Sequence, residues 1–286
     1  KIVQLVEFWL NESGQDNLAI AGGVFANVRV NQMLAELPNV KNIFVYPDMG
    51  DSGLSVGAIW HFLATERNIN PSQSLISMTL SPKSKNFSKL PENIVHEHFN
   101  WQANVMDLAK RLVEGKTVGV IIGNMEVGPR ALCNRSILAS CADDKINDIL
   151  NAKLNRTEFM PFAPVALDSS FEEIFEVSRH GSLIPFYFMT MACYVNKSWI
   201  KRIPAAVHID GTARPQLLMH DQNPFVYSLL QAYASLTQVP VLINTSFNAH
   251  EEPIIMDLEQ GLKVLSKGSI DLVVTEDSLY KSILNP

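Results

Sequence analysis

The densest group of chemically capable residues is Gly128-Pro129-Arg130-Ala131-Leu132, followed closely by Asn134, Arg135 and Ser136. Two arginines five positions apart beside a glycine–proline turn can present planar guanidinium forks to a phosphate or a carboxylate. Surface ion pairing would account for Arg135, but not for an arginine set inside so constrained a turn. A second group gathers His208, Asp210, Thr212, Arg214 and Gln216 within residues 208–216, too polar for an ordinary strand. The alternatives there are an Asp-Gly turn and a satisfied core histidine. A third group, Asn244-Thr245-Ser246-Phe247-Asn248, follows the apolar run Val241-Leu242-Ile243. Amides and hydroxyls at the carboxyl end of a buried strand stand where α/β sheets bind ligands, although an Asx-type turn would read the same way.

Two further groups lie near the start of the chain. Gly22 and Gly23, with Asn27 just beyond, close the apolar run 18–21. Glycines there let a nucleotide approach the backbone, and the next helix N-terminus favours an anion; a tight strand-to-helix turn is the structural alternative. Asp51, between Gly50 and Ser52, also follows an apolar strand. It is placed either to hold a metal that bridges a phosphate or to cap the next helix. His61, His96 and His98 lack convincing metal-ligand spacing.

The elements that must position these groups follow from hydrophobic period. Ile2, Leu5, Val6, Trp9 and Leu10 fall at helical spacing. A strand at 18–21, a helix at 27–36, a strand at 42–46 and a helix at 54–66 follow, an order that implies an α/β layer with parallel strands. Residues 68–100 turn to Asn, Pro, Ser and Lys without a sustained period and read as a connection. A helix at 106–114 stops at Gly115, and a strand at 117–122 leads into the arginine turn. Asn223-Pro224 reads as a helix cap with proline at the first helical position, and Asp257 with Gln260 as a capping box. Strands at 240–243 and 270–274 complete a second α/β unit.

Composition limits the partners. Lys+Arg 23 against Asp+Glu 29 gives a net charge of −6. That opposes broad binding to a phosphate backbone, so no nucleic acid is expected. No stretch approaches the roughly 18 apolar residues of a membrane span, and residues 1–11 do not read as a secretion signal. Cys133, Cys141 and Cys193 form no C-x-x-C pair, which fits a reducing, cytoplasmic setting.

Taken in order, residues 21–27, 50–53, 128–138, 159–164, 208–216 and 244–254 resemble the O-carbamoyltransferases of the NodU/CmcH type, over nearly the whole chain. Members use carbamoyl phosphate and ATP to form carbamoyl adenylate, release pyrophosphate and pass the carbamoyl group to a hydroxyl of a sugar or small-molecule acceptor. The resemblance implies that residues 1–85 are the closing portion of an actin-like, sugar-kinase-type transfer domain. Residues 86–100 would be a linker, and residues 101–286 a YrdC-like, twisted open α/β domain for adenylation. The chain would thus be the carboxyl-terminal part of a longer enzyme, with histidine metal ligands upstream.

By position, the resemblance has Gly22, Gly23 and Asn27 touch the nucleotide, and Asp51 hold a divalent metal of iron or zinc type, beside ATP with magnesium. Arg130, Arg214, Ser246 and Lys153 would be catalytic. Arg135, Arg156, His208, Asn244, Thr245 and Asn248 would bind substrate. A homodimer is compatible with the pattern. Cys133 replaces the usual glycine, Met160 stands where many members have arginine, and Leu154 where lysine is frequent, leaving Lys153 to supply an amine. A nucleic-acid-binding module and a non-catalytic nucleotide-binding subunit are the rival classes.

Overall fold

A computed structural model describes residues 1–69, 77–81, 89–155, 161–177, 182–249 and 252–284. The chain opens with helix α1 (Ile2–Ser13), which ends at Gly14 in the left-handed conformation. Strand β1 (Asn17–Ile20) lies parallel to β2 (Asn42–Val45), with Asn17 opposite Asn42. Helix α2 (Val28–Ala35) connects them, as a parallel pair requires. Leu34, Val40, Ile43 and Val45 are buried and form the inner face of this front layer. Helix α3 (Leu54–Glu66) follows β2 and keeps the bounds its sequence implies. Its apolar residues run around the whole helix rather than along one face, and none of its residues is buried.

The rest of the described chain is built on an eight-stranded mixed sheet. Its strands are β3 (Ile94–His98), β4 (Val118–Ile121), β5 (Arg135–Ser140), β6 (Ala163–Leu167), β10 (Gln216–Leu218), β11 (Val241–Ser246), β12 (Leu272–Val274) and β13 (Ser278–Ser282). They lie in the order β10-β6-β11-β5-β4-β12-β13-β3. Every residue of β4, β6 and β12 is buried, as covered central strands require. A smaller antiparallel sheet joins β7 (Phe175–Glu176), β8 (Cys193–Val195) and β9 (Thr212–Ala213).

Helices α4 (Trp101–Val113) and α9 (Pro224–Thr237) cover the large sheet, with the Phe225 ring edge-on to both Phe99 and Trp101. Helices α5 (Lys145–Lys153), α6 (Phe171–Ile174), α7 (Ile184–Tyr187), α8 (Lys197–Ile200) and α10 (Leu258–Ser266) complete the set. The caps behave as their residue types require: Asn223 accepts from Val226 N–H ahead of a proline-led helix, and Asp257 with Gln260 closes a capping box.

The two α/β units expected from sequence meet across direct bonds. Asn31 Nδ2 donates to the Thr190 carbonyl at 2.7 Å, and Ala192 N–H donates to the Val28 carbonyl at 3.3 Å. The described part of the connection, 77–81, is paired with the arginine-turn segment: Val127 N–H bonds Met78, and Ser81 N–H bonds Met125. Residues 94–98, expected in the connection and within the 86–100 linker, instead form β3, the sheet edge paired antiparallel with β13. Their composition is polar because an edge strand faces solvent. Among the described residues, no helix is long and apolar enough to cross a membrane.

Candidate active site

The segment from β4 to β5 forms the centre of the site. Its two limbs are adjacent strands, with Ile121 opposite Arg135. Glu126 is 4% exposed, and its Oε1 accepts from three backbone N–H groups of the returning limb: Leu132 at 2.6 Å, Asn134 at 2.7 Å and Arg135 at 3.2 Å. Burial pushes the Glu126 carboxyl up, and these backbone bonds oppose that rise. Arg130 lies inside the loop so closed and is half-buried. At the far end of the turn, Asn134 Nδ2 donates to the Asn124 carbonyl at 2.8 Å, and Cys133 adopts φ 81°. The glycine that the resemblance leads one to expect at that position would have a backbone reason, since an L side chain resists the left-handed conformation.

Two other polar groups anchor on the same turn. Asn244 Nδ2, on β11, donates to Gln216 Oε1 at 2.6 Å and to the Ala131 carbonyl at 3.2 Å. Asn223 Nδ2 donates to Asn134 Oδ1 at 2.8 Å and to the Cys133 carbonyl at 3.2 Å. Arg130, Arg214 and Ser246 each stand within two residues of this network, next to Ala131, Gln216 and Asn244 respectively. Ser246 faces Ser136 across the β11–β5 pairing, and Thr245 is buried beside it. Asn248 turns back, donating through Nδ2 to the Glu252 carbonyl at 2.6 Å. His208 begins a tight turn, with its N–H bonded to the Thr212 carbonyl at 2.7 Å and its Nδ1 3.2 Å from Thr212 Oγ1. Burial holds the imidazole below its ordinary pKa; Asp210 opposes that shift and Arg214 adds to it. The Asp-Gly turn alternative therefore describes the local backbone, and Arg214 lies close enough to act on the ring.

Three sequence assignments need correction. Arg135 is 0% exposed and presents no fork to a ligand. Its guanidinium donates to the carbonyls of Met256 (3.1 Å), Ile122 (2.9 Å), Asn134 (2.8 Å) and Gly123 (3.1 Å), fastening the two limbs of the turn. Lys153 is not at the arginine turn. Its Nζ is 3.5 Å from Asp271 Oδ1, and Asp271 also accepts from the N–H (2.8 Å) and hydroxyl (2.7 Å) of Thr117. Thr117 precedes β4 whereas Gly123 follows it, so six residues of extended chain, roughly 20 Å, separate the two ends. Asn27 caps α2, its Oδ1 accepting from Arg29 and Val30 N–H, and it does not line the adjacent pocket. Arg156 lies outside the described residues.

The front layer carries a separate cavity of about 320 Å³, lined by Gly22, Gly23, Tyr46, Asp48, Asp51 and Trp60 among others. The glycine loop and Asp51, far apart in sequence, therefore share one pocket. Asp48 is buried and accepts from the Ser52 hydroxyl. A Cβ on Gly53 would fall 2.0 Å from the Asp48 carbonyl oxygen, so only glycine fits there. The other side of this loop backs onto the arginine turn: a Cβ on Gly128, itself at φ 108°, would stand 3.5 Å from Asp48 Cα and Cβ.

Comparison with known proteins decides the family. The family model described as the carbamoyltransferase C-terminus matches residues 109–282, and that of the carbamoyltransferase N-terminus matches residues 1–60. The chain belongs to the carbamoyltransferase family. An uncharacterized protein of Methanocaldococcus jannaschii is 34% identical to it over 277 residues, covering 92% of this chain and 44% of that protein. Nodulation protein U of Rhizobium tropici is 34% identical over 240 residues, covering 83% and 39%. The chain spans about half the length of the curated relatives it matches. Among solved structures, HypF of T. kodakarensis is similar at a TM-score of 0.45 and 17% identity, over 67% of this chain and 23% of that one.

Among the described residues, no three His, Cys, Asp or Glu side chains gather into a group that could hold a metal ion. Asp51 is exposed, and Asp48 is committed to Ser52. Among the described residues, these two carboxylates alone do not make a metal centre. Sequence reasoning missed Glu126 as part of the candidate site and read Asn223 only as a helix cap. Glu126 did leave a signal: a lone carboxylate between Met125 and Val127, next to a turn that needs an anchor.

Proposed function

We propose that this chain carries the carbamoyl-activating part of an ATP-dependent O-carbamoyltransferase, with carbamoyl phosphate as the donor. The observation that supports this reading is that hydrogen bonds from Asn244 draw Ala131, Gln216 and Asn244 together, and Arg130, Arg214 and Ser246 lie one or two positions from them along the chain. Family membership supports it.

In the proposed reaction, water cleaves carbamoyl phosphate to carbamate and phosphate. A carbamate oxygen then attacks the α-phosphorus of ATP, forming carbamoyl adenylate and expelling pyrophosphate. Both reactants are anions, so the site must offset their repulsion. Arginines fixed in advance do this without reorganising as charge develops. Carbamate decomposes in water, so the half-buried setting of Arg130, Arg214 and Ser246 favours its retention. The adenylate's carbamoyl carbon would then be attacked by an acceptor hydroxyl, releasing AMP. The pocket bearing Gly22, Gly23 and Asp51 is assigned to that second, transfer stage, in an actin-like domain of which residues 1–85 form part.

The test is carbamoyl-phosphate-dependent exchange of pyrophosphate into ATP by the folded chain. Exchange is expected, and Arg130→Ala and Arg214→Ala should each lower it at least tenfold, about 1.4 kcal/mol of transition-state stabilisation. A folded chain that shows no exchange under saturating substrates sinks the reading. Nucleotide binding without exchange would point instead to a non-catalytic binding subunit.

A further inference from the structure

We infer that Glu126 is a positioning residue that shapes the Arg130 turn for its anionic ligand, by placing the protein's own acceptor oxygen inside a nest of backbone N–H groups. The inference rests on the proposed reading only for the identity of the ligand.

Three donors of one short segment, Leu132, Asn134 and Arg135, converge on a single carboxylate oxygen. Such convergence is the geometry of an anion-binding nest, which successive N–H groups form when the chain passes through a left-handed residue. Cys133 at φ 81° supplies that residue, and its own N–H is diverted to Ser136 Oγ at 2.9 Å. The nest beside Arg130 is therefore already occupied from within, and an external phosphate does not need to fill it. Substrate anions are left to the side chains of the turn.

The bond from Leu132 N–H to Glu126 has a second consequence. It closes a ring running from residue 126 to residue 132, with Gly128, Pro129 and Arg130 inside it. Without that closure, Arg130 would sit at the tip of a loop whose ordering ligand binding must supply. With it, the loop is fixed before the ligand arrives. Arg135 and Asn244 reinforce the turn from opposite sides, on the Ile122, Gly123 and Asn134 carbonyls and on the Ala131 carbonyl. Neither touches the Leu132 N–H, so Glu126 is the group that sets the ring.

The test compares Glu126→Ala, Glu126→Met and Glu126→Gln by amide-resolved hydrogen exchange and by calorimetric titration with carbamoyl phosphate. In Ala and Met, exchange at Leu132, Asn134 and Arg135 should accelerate at least tenfold while β4 and β12 keep their protection. Affinity for carbamoyl phosphate should fall at least tenfold. Gln retains an acceptor oxygen and should restore both properties to within about threefold of the parent. Unchanged exchange at the three amides overturns the nest. Accelerated exchange with unchanged affinity overturns the positioning role, as does loss of folding in both Ala and Met, which would make Glu126 a determinant of global stability. If the parent chain binds no carbamoyl phosphate, the functional reading fails, and the exchange arm still decides whether Glu126 holds the turn.

Discussion

The two candidate sites of this chain are built on opposite principles. Around the arginine turn, the supporting polar groups are buried and spent on one another: Glu126, Asn134, Arg135, Gln216, Asn223 and Asn244 are all shielded from solvent. In the front layer, glycine-rich backbone and the Tyr46 and Trp60 rings line the pocket, and helix α3 beside it contributes no buried side chain. Leu54, Ile59 and Phe62 of α3, and Leu5, Phe8 and Trp9 of α1, stand exposed. Precision in the first site comes from a network of buried hydrogen bonds, which are costly to leave half-made. In the second it comes from close approach of main chain to main chain, where a single methyl decides.

That contrast is most easily broken at Gly53. Gly53→Ala would drive a Cβ to 2.0 Å from the Asp48 carbonyl oxygen and 2.9 Å from the Tyr46 ring, and the backbone contact cannot swing away. A loss of about 3 kcal/mol is expected, at the upper end for overpacking, read as a lower melting temperature. Because Asp48 also backs onto Gly128, exchange protection at the arginine turn should fall with it. A variant as stable as the parent would show that the loop relaxes freely, and that the two sites do not share a rigid wall.

The next largest effect separates two arginines that stand five positions apart. Arg135→Met removes a guanidinium bonded to four carbonyls and leaves those acceptors buried, so about 3 kcal/mol of stability should go. Lysine should not rescue it, since one ammonium cannot reproduce the fork. Arg130→Met, at a half-buried position, should cost less stability than Arg135→Met and exert its main effect on ligand affinity. Chemical denaturation of both variants is the measurement. Equal losses of stability would erase the distinction between a fastening and a ligand-facing arginine.

Much of the scaffold was legible from residue types because local rules decide it. The bounds of α3, the parallel β1–β2 pair, the Asn223-Pro224 cap and the Asp257–Gln260 box depend on neighbours in sequence. The roles of the charged residues were less legible, for a physical reason. The turn sets Arg130 apart in the sequence, but it does not reveal that the packing of β5 between β4 and β11 buries Arg135 completely and leaves Arg130 half-buried. The family resemblance assigns Lys153 to the site, but the helix that carries it docks at the far end of β4, where burial raises the Asp271 carboxyl and the bonds from Thr117, with Lys153 and Lys116, outweigh it and leave that carboxyl lowered. The short strands β7, β8 and β9 escaped because two- and three-residue ladders carry no measurable period.

A smaller effect is expected at Cys133, where two terms oppose each other. Cys133→Gly relieves a left-handed residue by roughly 1 kcal/mol, but gives up a fully buried thiol that contacts Gln216 at 3.4 Å. The net change should lie within about 1 kcal/mol of zero. Differential scanning calorimetry checks it, and a loss above about 2 kcal/mol would mean that the thiol, rather than the backbone, holds the turn.

The smallest effect is the pH dependence carried by His208, and its sign follows from burial. The imidazole sits below its ordinary value in the folded chain, so it stays neutral there at pH values where the unfolded chain already binds a proton. Its contribution to stability is therefore complete above about pH 6.5 and is lost as pH falls from there through the folded value. Asp210 pulls towards protonation and limits the loss; Arg214 pushes against it and enlarges the loss. Replacing His208 with Gln keeps a polar partner for Thr212 and removes the titration. The difference in melting temperature between parent and His208→Gln should then be flat from pH 8 to pH 7 and should narrow, or reverse, as pH drops to 5. A difference that stays constant over the whole range would mean that the ring reaches solvent, and the turn at residues 208–212 would then join the open, front-layer kind of construction rather than the buried, hydrogen-bonded kind.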